Sequence, residues 1–289
     1  MKTALKLFAA WAAFAVSLVV GGILARILHL QTVAPDALRR MPYHLAMVLA
    51  AAVVLVLGLW PLARGIAGSI PARGAALVVF VFLALGVNTV FDGVIYTDYF
   101  NGVVPSVVLL FFCEALFAGV ALGCFFGQSG HASGLASHSG IDWIGRGIIA
   151  WLLWPVVYIF FGACVAPIVV PYYQSGAIPG LHIPAMPVIL GVQLLRSFFF
   201  LAASLPLIAL WKGTRRNLWL ALGLGHAVTV GIFGLISANF MPPVMRVAHG
   251  VEITCDSFAY AGLLVLLFAA KQTTAVAEAP QPEPQLTQS

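Results

Sequence analysis

Eight uninterrupted apolar runs, each close to the roughly 20 residues that cross a hydrocarbon core about 30 Å thick, dominate this sequence. They cover approximately Leu7 to Leu28, Tyr43 to Leu62, Gly74 to Tyr96, Val103 to Phe126, Gly147 to Tyr172, Pro184 to Trp211, Leu218 to Phe240 and Val247 to Ala270. No water-soluble core accommodates so much apolar surface. Of 289 residues, 62% are hydrophobic and 8% charged, whereas soluble domains carry about 25% charged residues. Lipid leaves the backbone two hydrogen-bonding solutions, helix and closed barrel, and continuous rather than alternating runs fit only the helix. The first run follows Lys2 and Lys6 as a signal peptide would, but its uncharged stretch from Leu7 to Ala25 exceeds a signal h-region, so it reads as a span.

The chain is thus expected to be an all-α, polytopic integral membrane helix bundle of about eight transmembrane helices. One domain covers residues 1–270, followed by a disordered cytoplasmic tail, 271–289, rich in Pro and Gln. The Gly/Ser/His connection QSGHASGLASHSG, 128–140, also reads as unstructured. Pro155, Pro167, Pro187 and Pro206 predict kinks in the fifth and sixth spans. Cys113, Cys124, Cys164 and Cys255 all fall inside apolar runs, which argues against a disulfide framework and for small buried side chains.

Basic residues are scattered between runs instead of forming a stripe, so the formal charge of +5 points to membrane orientation rather than nucleic acid. With the N-terminus inside, Lys2, Lys6, Arg64, Arg73, Arg146, Lys212, Arg215, Arg216 and Lys271 are cytoplasmic, against Arg26, Arg39, Arg40 and Arg246 outside. Both termini are then expected in the cytoplasm, with the protein in the plasma or bacterial inner membrane. Trp60, Trp143, Trp151, Tyr172, Tyr173, Trp211 and Trp219 lie near run ends, as an interfacial belt requires.

Ionisable groups inside the runs carry the functional signal. Placed at about 100° per residue, Arg246, His249, Glu252, Asp256 and Tyr260 share one face of the last span. An ionised group at mid-bilayer costs roughly 2.5–3.5 kcal/mol on insertion scales, so this face should turn into the bundle toward partners. His29, His44, Asn88, Asp92, Asn239, His249 and Glu252 all map to the outer third. Deeper are Glu114 in the fourth span and Arg196 with Gln193 in the sixth, and Arg196 is expected to pair with Glu114 or Asp256.

Mixed nitrogen and oxygen donors at His44, Asp92, His249 and Glu252 suit a divalent metal, without any HExxH signature. His226, in LGLGHAVTV, reads as a packing histidine, and the serine of GQSG, 127–130, as a product of local composition. Three functions fit: a transporter or ion-coupled permease for a small solute, a membrane-embedded enzyme, with or without a metal, acting on a lipid or other membrane substrate, or a pH sensor or assembly subunit.

Overall fold

The computed structural model describes residues 2–32, 43–132, 134–176, 178, 180–238 and 240–270. Arg39, Arg40, Asn239, Lys271 and the tail lie outside them. The described residues form eight helices long and apolar enough to span a bilayer: α1 Lys2–Ile27, α2 His44–Gly65, α3 Ile70–Tyr96, α4 Val104–Phe126, α5 Gly140–Gln174, α6 Met186–Ala209, α7 Arg215–Ser237 and α8 Pro243–Phe268. Large apolar side chains such as Phe8, Val19, Phe160 and Leu266 cover the outside. That inverts the soluble pattern and suits a lipid surround. The protein is a multi-pass integral membrane protein.

The helices close a ring in the order α1, α2, α7, α8, α5, α6, α3, α4, returning to α1. Contacts between α3 and α7 cross the ring and divide it into two lobes. One lobe contains α1, α2 and α4, the other α5, α6 and α8, and both share α3 and α7. The α3–α4 seam is a direct backbone contact. A Cβ on Gly123 would lie 2.7 Å from the Gly74 Cα, and one on Gly119 would lie 2.6 Å from the Val78 nitrogen, so only glycine allows this approach.

Both shared helices are interrupted. α3 widens to a π-helix over Phe82–Val87 and α7 over Val228–Ile232. The two π segments abut at the centre of the ring. A π turn takes an extra residue and shifts the backbone hydrogen bonds of the turns around it, and the Val230 carbonyl accepts from a side chain, Asn88 Nδ2, at 3.0 Å.

Helix ends alternate between two sides. The side bearing Lys2 and Phe268, here the terminal side, is tied by short backbone bridges, Ile66 to Trp211, Ala67 to Gln128 and Leu135 to Ala269. The 128–140 connection is therefore not unstructured: Gln128 and Leu135 are anchored to neighbouring helix ends, and the Gln128 amide also donates to the Arg64 carbonyl. Cations close the exposed carbonyl ends of helices here. Arg215 Nη2 donates to Val265 O at 2.7 Å, Arg146 Nη1 to Leu267 O at 2.8 Å, and Lys6 Nζ to Phe125 O at 2.8 Å.

The prolines behave differently from one another. Pro155, Pro167 and Pro171 are interior to α5, and Pro206 to α6, but Pro187 occupies the first turn of α6, where a missing N–H costs nothing. It marks a helix start rather than a kink. Among the cysteines only Cys113 is buried. Cys124, Cys164 and Cys255 lie on the outer surface, because lipid accepts a thiol as readily as a core does.

Candidate intramembrane charged site

The polar stripe of α8 turns inward, into the lobe formed by α3, α5, α6 and α8. Side-chain exposure falls along it from 20% at His249 to 7% at Glu252, and Asp256 is 2% exposed. The gradient runs inward from the far side, opposite the terminal one. α8 starts at that side, so its side chains lean back toward it.

Arg196 on α6 is bound by Asp92 on α3, Nη1 to Oδ1 at 3.1 Å. It does not pair with Glu114 or Asp256. Two features of the fold explain this. α4, which carries Glu114, packs against α1, α2 and α3 in the other lobe and has no substantial interface with α6. And α6 starts at the far side while α3 ends there, so the Arg196 side chain leans toward the far side and the Asp92 side chain leans down to meet it. Asp256 stays within electrostatic reach of Arg196, and Asp92 within reach of His249 and Glu252. The guanidinium also sits 5.7 Å from the ring centres of Tyr158 and Phe200, contacts that favour a cation.

Around this pair the polar groups form a chain. Asn88 Nδ2 reaches Asp92 Oδ2 at 3.4 Å as well as the π-segment carbonyl of Val230. The Tyr96 and Tyr158 hydroxyls are 3.1 Å apart. His249 Nδ1 lies 2.8 Å from Glu252 Oε2, and the Tyr173 ring stands edge-on to His249 at 6.5 Å. Glu252 is thus satisfied by His249 rather than by Arg246, which sits half-buried at the outer end of the stripe. A Cβ on Gly162 of α5 would come 3.2 Å from Glu252 Oε1, so that glycine clears space for the carboxylate. Asp256 is hydrogen-bonded by Ser257, through its hydroxyl at 3.3 Å and its backbone.

Asp92, Arg196, His249, Glu252 and Asp256 therefore converge, and the other candidates do not. Glu114 is buried in the other lobe with Oε2 unpartnered. Gln193 is fully buried and accepts from Trp154 Nε1 at 3.0 Å, leaving its own Nε2 without an acceptor. His44 begins α2 near the Ser237 backbone. Since α7 stands between α2 and α8, His44 does not join Asp92, His249 and Glu252. Among the described residues no group of three or more His, Cys, Asp or Glu is placed to hold a metal, and the four proposed ligands do not form a cage. His29 ends exposed beyond α1. His226 is a packing residue, held by Ser204 at 2.9 Å between the rings of Phe80, Phe200 and Tyr260.

Tyr158 and Gly162 belong to the site without having been singled out in the sequence, and Tyr173, read there as an interfacial-belt residue, stands beside His249. Trp154, Tyr158 and Gly162 follow a spacing of four along α5, the one signal that could have shown a polar-lined face within so apolar a helix.

The fold and site define an eight-span integral membrane protein with a charged cluster between α3, α5, α6 and α8. No family model, curated protein or solved structure matches the chain.

Proposed function

We propose that this protein is an ion-coupled transporter of a small solute, with the Asp92–Arg196 pair at its binding or coupling site. The observation that carries this reading is the position of the pair. It joins α3 to α6 beside the two abutting π segments, and the Asp92 side chain is 41% exposed although its partner is 5% exposed. Interrupted helices beside a polar site are a recurring arrangement in transporters, and an intramembrane pair with one water-reachable member suits a group that is alternately bound and released. The bias of basic residues toward the terminal side supports cytoplasmic termini in a plasma or inner membrane.

The test is reconstitution in proteoliposomes with a panel of anionic, cationic and zwitterionic solutes, reading solute-induced current. Wild type is expected to respond to at least one class, and Asp92→Asn and Arg196→Ala to lose the response while still folding in detergent. A flat response across the panel, with oriented and folded protein, would overturn the proposal.

One observation favours a second reading, a membrane-embedded enzyme acting on a lipid. Glu252 holds His249 through Nδ1, and Nε2 has no partner, the arrangement of an oriented general base. Turnover of added phospholipid by purified protein, abolished by His249→Gln, would select it. The absence of a three-ligand group among the described residues lends its metal-dependent version no support.

A further inference from the structure

We infer that the charged site is a proton-binding site, with protons held at Asp256 and on the Glu252–His249 pair. The inference rests on the transport reading and names its coupling ion. It starts from charge balance. Glu252 and Asp256 are buried beside the ion pair of the half-exposed Asp92 with the buried Arg196. Three carboxylates against one guanidinium leave two negative charges. Charges buried without compensation are strongly unfavourable, so the cluster takes up two positive charges from outside the chain.

A second observation points the same way. Asn88 is 1% exposed, and its amide is fixed in the cluster through Asp92 and Val230, yet its Oδ1 has no donor. A buried carbonyl oxygen without a donor, on a side chain whose amide holds a carboxylate, asks for a proton-bearing or cationic neighbour.

The geometry selects the proton among cations. Hard metal ions collect six or more oxygen ligands, but among the described residues the hydrogen bonds to Asp256 come from one neighbour, the Ser257 hydroxyl and backbone, and Glu252 uses one oxygen on an imidazole nitrogen. A proton needs one acceptor. Between His249 Nδ1 and Glu252 Oε2, 2.8 Å apart, a proton taken up at the more exposed imidazole is shared with the carboxylate below it. From there Asp256 lies one helical turn further in. The ionisable groups facing these acids are Asp92 and Tyr96 from α3, Tyr158 and Tyr173 from α5, Arg196 from α6, and His249 from α8 itself. His226 from α7 meets the same stripe one turn deeper, at Tyr260. Arg196 is the cation that moderates the cluster, and it is engaged by Asp92.

Infrared difference spectroscopy of the full-length protein in lipid, stepping pH, tests this without knowledge of the solute. Wild type is expected to show carboxylic acid C=O bands that bleach as pH rises. Asp256→Asn should remove one of them, Glu252→Gln another, and His249→Gln should shift the Glu252 band without removing it. Glu114→Gln, in the other lobe, should leave both in place. Thermal unfolding of each variant confirms that a lost band is not a lost fold. Bands unchanged in Asp256→Asn and Glu252→Gln, or bands displaced by sodium at fixed pH, would overturn the proposal. Solute flux with no such carboxyl bands removes the proton site and leaves the transport reading. Bands present without flux for any solute do the reverse.

Discussion

The side-chain amide of Asn88 lies 3.0 Å from the Val230 carbonyl and 3.4 Å from an Asp92 carboxylate oxygen. One nitrogen therefore links the π segment of α7 to the charged pair between α3 and α6. Removing it leaves a buried carbonyl without a donor, which costs about 1–3 kcal/mol. Asn88→Ala should lower the detergent-solubilised melting temperature, read by tryptophan fluorescence. An unchanged value would mean that the carbonyl finds another donor.

Arg196 and Asp92 should be coupled in a double-mutant cycle. Arg196→Gln leaves a carboxylate facing a buried site and Asp92→Asn leaves a buried guanidinium, so each single change should cost more than half of what the pair change costs. The coupling energy is expected to be about 1–3 kcal/mol, toward the lower end because water screens the half-exposed Asp92. Additive single effects would show that the two groups do not interact in lipid.

Pro155 cannot donate to the Trp151 carbonyl four residues earlier, and Ser197 from α6 fills the gap, Oγ to O at 2.6 Å. Ser197→Ala should destabilise by about 1–3 kcal/mol by orphaning that carbonyl. In a Pro155→Ala background, where the backbone N–H returns, the same change should be nearly silent. Equal losses in both backgrounds would assign the effect to packing.

Gly162→Ala brings a methyl group to 3.2 Å from Glu252 Oε1. The carboxylate must shift away from His249, so solute-driven current should fall several-fold with little change in melting temperature. Wild-type current would show that the Glu252 position has slack.

Glu114 is buried with an unpartnered oxygen and no charged group beside it. Replacing an unpaired buried polar group by an apolar one of similar length is favourable. Glu114→Met should raise the melting temperature, and a lower one would reveal a partner for the carboxyl.

The eight spans and the inward turn of Glu252 and Asp256 were legible because lipid punishes polar exposure at every position, so hydropathy and a helical period encode both directly. The partner of Arg196 was not. Depth along the chain suggested Glu114 or Asp256, but the order of helices around the ring places α4, with Glu114, away from α6, and that order follows from packing such as the Gly119 and Gly123 contacts with α3. The same cause separates His44 from His249. The π segments FLALGV and VTVGI contain nothing that distinguishes them from ordinary apolar helix. The anchoring of the Gly/Ser connection comes from bridges to residues far along the chain, such as Ala67 and Ala269, which local composition does not register.

The paired π segments also set the mechanical character of the bundle. A π turn stores one surplus residue. If it relaxes, or steps along the helix, the half beyond it swivels by about 100°, the angle one residue occupies in an α-helix. In α3 the half beyond Val87 contains Asn88 and Asp92. Such a swivel would carry the carboxylate out of reach of Arg196 while the glycine-packed half of α3 stayed seated against α4.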